Sequence, residues 1–299
     1  MTQLNQKSHF YFILYLLLLV CNFSTFAAAP SKSTKKTEKA LLWEISGNGL
    51  SAPSYLFGTI HMICPEDFVL GTTVKNKLKQ SKQLVLEIDM DDPEMYAAIQ
   101  QAMVAPGSSL RSLYTEAEYK IMSDFFRQKL EVDLAMLDQM KPYAITLLLT
   151  QTYLNCQPES YEQHFFKLAK EQGKPVLGIE TIEQQLGFFD KLSPNEQAKM
   201  ALEAVQDIEK NKQEFLELVQ HYKNQDLAEL EKMTQEAYKK HPKLLDILYK
   251  DRNRAWIPVI EKTAKDNTTF FAVGAAHLPG KDGLIELLRA KGYKVKPVK

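Results

Sequence analysis

The sequence predicts an α/β fold: a twisted mixed sheet with flanking helices, two strand–GxxH–loop–helix–strand units and a large helical insertion. Three observations predict it. Two segments near opposite ends of the chain share one layout, Ser54-Tyr55-Leu56-Phe57 running into Gly58-Thr59-Ile60-His61 and Phe270-Phe271-Ala272-Val273 running into Gly274-Ala275-Ala276-His277. Two further short runs, Leu84 to Asp89 and Lys174 to Glu180, are mostly apolar and end in an acid, as strands covered on both faces are apolar along most of their length. Between residues 93 and 265, helix starts and stops dominate the pattern.

The elements follow in order. Leu41 to Ser46 is an opening strand, and Gly47-Asn48-Gly49 turns it into a hairpin with the first GxxH strand. A helix over about Val74 to Gln80 leads to the Leu84–Asp89 strand. Asp92-Pro93-Glu94 and Thr115-Glu116-Ala117-Glu118 are helix starts, and Lys141-Pro142 marks a break and a restart. Tyr161 to Lys170 is a helix closed by Gly173 ahead of the third strand, and Thr181 caps the next helix. Ser193-Pro194-Asn195-Glu196 opens a long amphipathic helix with Leu202, Val205, Ile208, Phe215, Leu216, Val219 and Tyr222 on one stripe. Further helices start at about Asp226 and span about Pro242 to Lys265. In the second GxxH unit, Pro279-Gly280 turns, Asp282 caps a helix, and Gly292 closes it before a last strand, Tyr293 to Val298.

The chain of 299 residues is long enough for one sizeable core, and its 37 basic and 37 acidic residues cancel. That balance supplies no basic field for nucleic acid or an anionic membrane. Residues 1–27 read as a secretory signal peptide: Lys7, the apolar run Phe10 to Val20, then Ala27-Ala28-Ala29 before Pro30. The apolar run is short for a bilayer, so no stable membrane span is expected after cleavage. A retained signal anchor is the alternative. Cys21 as a lipidation site is disfavoured by the bulk of Val20. Residues 28–40 form a Ser/Thr/Lys-rich linker, and 41–299 form the folded domain. The expected location is therefore secreted or periplasmic. Cys64 and Cys156 remain in the mature chain, either as a disulfide permitted by that compartment or as two buried thiols.

The chemistry concentrates at strand ends, where open α/β sheets bind their ligands. His61 and His277 are delivered there by matched motifs, and a glycine at the strand end lets the backbone come close to whatever the imidazole holds. Two imidazoles with a carboxylate make an open divalent-metal site. Glu87 is the carboxylate of choice, as ligand or as general base, with Asp89 as its substitute on the same face. Glu180 has the same strand-end placement, although a helix cap also explains it. Arg252, inside a predicted helix with apolar neighbours, is a candidate for steadying an oxyanion, and a structural Arg–Glu pair is the alternative. His164, His221 and His241 read as surface or loop residues. No GxSxG, HExxH, Walker or GxGxxG pattern occurs.

Gly58-Thr59-Ile60-His61, Leu86-Glu87-Ile88-Asp89, Lys141-Pro142-Tyr143, Gly173-Lys174-Pro175 with Glu180-Thr181, Arg252-Asn253 with Trp256, and Gly274 to Gly280 appear in that order. Together they resemble the TraB/GumN family, which includes the animal Tiki proteins. The resemblance runs from about Leu41 to the C-terminus. It implies a fold similar to erythromycin esterase-like and ChaN-like domains, and a Tiki-like metalloprotease. That protease would use a divalent ion, manganese or cobalt by the resemblance with zinc as a further candidate, on His61, His277 and Glu87. Arg252 falls on the family's Arg-Asn pair. One departure is Ser160-Tyr161-Glu162, where many relatives have Gly-x-Asp, so Glu162 keeps the acid on a longer arm and joins Glu180 as a substrate-binding candidate. The implied partner is a peptide or protein substrate. The alternative is a non-catalytic envelope protein of the same fold that binds haem or metal.

Overall fold

Six strands make one mixed sheet in the order β4-β3-β5-β2-β1-β6. The strands are β1 Leu42–Ser46, β2 Ser54–Thr59, β3 Gln83–Leu86, β4 Val176–Gly178, β5 Thr269–Gly274 and β6 Lys294–Pro297. The structure is a computed structural model in which residues 39–299 are described. The signal-peptide segment, Cys21 and nearly all of the linker lie outside those residues. No described helix is long and apolar enough to cross a membrane.

The hairpin forms as the glycines require: Gly47, Asn48 and Gly49 take φ of +79°, +46° and +82°, and β1 pairs antiparallel with β2. Glycine enters this region without steric cost, and Asn tolerates it better than most residues. β2 pairs parallel with β5, β5 with β3, and β3 with β4. Every residue of β2 and β5 is buried, so both faces of the sheet centre are covered.

The repeated units do not repeat in space. The second strand of the first unit, β3, lies beside β5 of the second unit. The second strand of the second unit, β6, closes the far edge antiparallel to β1. This interleaving puts β3, β5 and β2 side by side, with their C-terminal ends at one edge. Gly58 pairs with Val273 and Thr59 with Gly274. A Cβ on Gly58 would stand 3.0 Å from both Cα and Cβ of Ala275, so glycine here permits the two motifs to touch.

The described chain forms two units. One holds the sheet and, from Lys39 onward, comprises the residues to Asp91, Pro158–Thr181 and Glu217–Lys299; the other is helical and comprises Asp92–Gln157 and Ile182–Leu216. The helix-rich stretch 93–265 is thus shared between them, with β4 inside it. In the helical unit, the Thr115–Glu118 and Ser193–Glu196 capping boxes both form, and Pro142 starts the Pro142–Leu149 helix. Its core is built on Leu110, Met122, Phe126, Ile145, Leu149 and Ala201.

Four expectations are revised. The long amphipathic helix is two, Pro194–Gln206 and Ile208–Lys223, divided at Asp207. Leu216 is exposed beside the buried Phe215, Val219 and Tyr222, because it sits one residue, or 100°, off their 3.6-residue stripe. The predicted Pro242–Lys265 helix contains a π-helical stretch, Asp246–Asp251, between Pro242–Leu245 and Arg252–Asp266. Asp282 does not cap; Gly283 is the cap residue, and the Asp282 carboxylate instead pairs with Arg254 at 2.7 Å.

Candidate functional site

β3 ends at Leu86, and the chain bends so that Glu87 turns into the sheet edge beside the ends of β5 and β2. The bend also separates Glu87 from Asp89. Asp89 accepts the Asp91 backbone N–H at 2.9 Å in the next turn and does not substitute for Glu87.

Glu87 is the hub. Its Oε1 accepts the Gly274 N–H at 2.7 Å, and its Oε2 accepts Arg252 Nη2 at 2.6 Å. His61 Nε2 stands 3.9 Å and His277 Nε2 4.0 Å from that same Oε1. The two imidazoles from opposite ends of the sequence therefore face one carboxylate oxygen. Burial pushes the Glu87 carboxyl up, but Arg252, the two histidines and the Gly274 N–H outweigh it and hold it down to about 2.

The rings are held from behind. His61 Nδ1 lies 2.8 Å from Glu162 Oε1. Glu162 also accepts the Thr59 hydroxyl at 2.5 Å and the Ser160 hydroxyl at 2.8 Å. Burial lowers the His61 pKa, yet the Glu162 and Glu87 charges carry it above the usual histidine value. His277 Nδ1 lies 2.7 Å from Asn253 Oδ1. Its ring sits between Tyr249 and Trp256, at centroid distances of 5.0 and 4.5 Å. Burial first, then the Arg252 charge, push His277 down to about 3, so it is neutral near pH 7.

Arg252 spends every N–H inside the protein. Nε and Nη2 donate to Glu180, Nη2 also to Glu87, and Nη1 to Leu248 O at 3.1 Å and toward His277 Nε2 at 3.3 Å. Leu248 belongs to the π-helical stretch, a rare form concentrated at functional sites. With no donor left over, Arg252 clamps Glu87 and Glu180 and does not offer an N–H to an oxyanion. Glu180 is equally engaged: it accepts Arg252 and, at 2.9 Å, Trp256 Nε1. Burial raises its pKa against the pull of Arg252. Both substrate-binding candidates are thus turned inward, Glu162 onto His61 and Glu180 onto Arg252.

Two observations test whether these donors suit a divalent ion. His61 Nε2 is buried and makes no hydrogen bond. A Cβ on Gly274 would come within 3.2 Å of His61 Nε2, 3.3 Å of Glu87 Oε1 and 3.6 Å of His277 Cδ2, so the donors converge where glycine leaves room. The donor chemistry also suits: two imidazoles, each fixed through Nδ1, and one ionised carboxylate. No group of three or more His, Cys, Asp or Glu is preassembled as a ligand set among the described residues. The donor types suit an ion, but as placed His277 Nε2 is taken up by Arg252 Nη1 at 3.3 Å.

Asn253 and Trp256 were legible only as motif letters beside Arg252; nothing in the sequence assigned them a duty. The usable signal was an Asn at an inward-facing helical position, since a buried amide requires partners. Cys64 and Cys156 are both disulfide-bonded, which settles the alternatives left open by the sequence.

Fold and site together define a class: an α/β protein with a buried His/His/Glu cluster assembled from two interleaved GxxH arms at one sheet edge. The chain belongs to the TraB/PrgY/gumN family, which it matches over residues 41–297. No curated protein and no solved structure matches it.

Proposed function

We propose that this protein is an exported metal-dependent hydrolase, with a peptide bond as the substrate linkage. One observation carries the reading: His61 Nε2 and His277 Nε2 stand 3.9 and 4.0 Å from the same oxygen, Glu87 Oε1, beside the bare backbone of Gly274. A divalent ion (manganese, cobalt or zinc) held there by His61, His277 and Glu87 would supply Lewis-acid chemistry.

The remaining duties belong to the chain. His61 and His277 hold the ion through Nε2. Glu87, ionised down to about pH 2, contributes compensating charge through Oε1. Held by Arg252 through Oε2 and by the Gly274 N–H at Oε1, Glu87 is fixed in place, which suits it to the ligand role. Glu162 receives the His61 Nδ1–H and keeps its Nε2 directed inward. Arg252 keeps Glu87 and Glu180 in place. Of the three ligands, His61 has the most exposed side chain, at 15% against 6% for Glu87 and 0% for His277. Substrate therefore approaches from the His61 side. Export is supported by the N-terminal sequence and by the disulfide-bonded state of Cys64 and Cys156.

The engagement of both Glu87 oxygens, by Arg252 and by the Gly274 N–H, favours a second reading, an ion held without turnover. Elemental analysis of the purified mature protein beside a His61→Ala/His277→Ala double variant decides the metal site: wild type should carry about one divalent ion per chain and the variant none. Equal metal content in the two sinks the proposal. A peptide-library assay on the loaded protein then separates hydrolase from binder, cleavage lost in the double variant being the expected result.

A further inference from the structure

Asn253 touches neither the hub carboxylate nor the convergence point, yet its hydrogen bonds determine which nitrogen of His277 can face inward. Its Nδ2 donates to two backbone carbonyls, His277 O at 3.2 Å and Asp282 O at 2.8 Å. Both amide hydrogens are therefore committed, and the amide cannot flip without aiming its oxygen at two carbonyl oxygens. Oδ1 is left toward His277 Nδ1 at 2.7 Å, and an amide oxygen only accepts. Nδ1 must then carry the ring proton, and Nε2 must present its lone pair. The other side of the ring agrees, because a guanidinium N–H, which only donates, points at Nε2.

We propose that Asn253 is the positioning residue of the second GxxH arm: it fixes the tautomer and rotation of His277 so that Nε2 is a ligand before any ion arrives. This rests on the reading of His277 as a metal ligand. The arrangement also links the ring to its own loop, since the one side chain ties the His277 ring, the His277 carbonyl and the Asp282 carbonyl to the start of the Arg252–Asp266 helix. Outer-layer partners of metal-binding histidines typically account for about 10–100-fold in affinity.

The test reads the tautomer directly, on metal-free protein labelled with ¹⁵N at histidine, by long-range ¹H–¹⁵N correlation. Wild type should show His277 protonated at Nδ1. Asn253→Ala leaves Arg252 Nη1 as the one partner still favouring Nδ1–H, so it should free the ring to rotate and weaken zinc binding, measured calorimetrically, by about 10–100-fold. Arg254→Ala is the control for loop damage: it cuts the 2.7 Å Arg254–Asp282 tether of the same loop, and should leave both the tautomer and zinc affinity unchanged. Asn253→Asp retains an acceptor and loses the two donors, so it should keep the Nδ1–H tautomer even where it melts earlier; it serves if the alanine variant fails to fold. Undiminished zinc affinity in Asn253→Ala, or an Nε2–H ring in wild type or in Asn253→Asp, overturns the inference. Absence of zinc binding by wild type would instead remove the metal reading and leave the tautomer result standing.

Discussion

The two GxxH arms are nearly identical as text and differ as environments. The first presents His61 partly open to solvent, backed by a carboxylate, with a bare Nε2. The second presents His277 fully buried between two aromatic rings, backed by a neutral amide and crossed by a guanidinium. A strand that ends in Gly-x-x-His fixes where an imidazole arrives. What it becomes there is decided by helices remote in sequence, Tyr161–Glu171 for the first arm and Arg252–Asp266 for the second. The comparison teaches that one arm is built for access and the other for rigidity.

The largest expected effect breaks the rigid side. Arg252→Met leaves Glu87 and Glu180 buried without their cation, and stability should fall by about 3–5 kcal/mol in urea unfolding. A loss below about 1 kcal/mol would show that the clamp carries little. Next, the histidines should be unequal in folding while equal in metal binding. His277→Ala opens a cavity beside Tyr249 and Trp256 and orphans Asn253 Oδ1, for a cost of about 2–4 kcal/mol. His61→Ala opens no aromatic-lined cavity, and the Glu162 carboxylate it leaves keeps the Thr59 and Ser160 hydroxyls, so it should cost less, about 1–2 kcal/mol. Matching losses would erase the distinction between the arms.

The glycines sharpen the same contrast. At Gly58 an added Cβ meets the backbone of Ala275, which cannot yield, so Gly58→Ala should cost about 1–3 kcal/mol of stability. At Gly274 the Cβ meets the tips of His61 and Glu87. Gly274→Ala should therefore retain a near-normal melting curve and lose metal. A variant that unfolds and one that merely empties would be read from the same pair of calorimetric scans; exchange of the two phenotypes would refute the assignment.

The sequence made parts of this legible for definite reasons. Gly58, His61, Gly274 and His277 declared themselves because a strand, a glycine and an imidazole form a local pattern. Glu87 stood out because an acid at the end of an apolar run needs a partner. Asn253 could not be assigned, since its duty depends on a carbonyl at Asp282 and a ring at His277 that only packing brings together. The role of Glu162 on His61 was hidden for the same reason, and its position was marked solely through the family resemblance. The Leu248 carbonyl that accepts Arg252 was beyond reach, because six residues at a π-helical period are not distinguishable by hydrophobic pattern from an α-helix. Strand order was hidden too: the duplicated text suggested duplicated units, whereas β3 and β6 go to different places in the sheet.

The smallest expected effect is the most discriminating. Glu162→Gln replaces the carboxylate behind His61 with an amide of the same size, which gives the first arm the kind of backing the second already has. The amide oxygen can still accept the Nδ1–H, so geometry is preserved while the charge is removed. If the carboxylate only orients the ring, zinc affinity should match wild type within about twofold. If its charge also strengthens the Nε2 donor, affinity should fall by about 10-fold, the low end for such partners. The second outcome is expected, because the Glu162 charge is the largest influence raising the His61 pKa against burial, and basicity and donor strength rise together. A twofold change or less would make the two arms equivalent as donors and confine their difference to access.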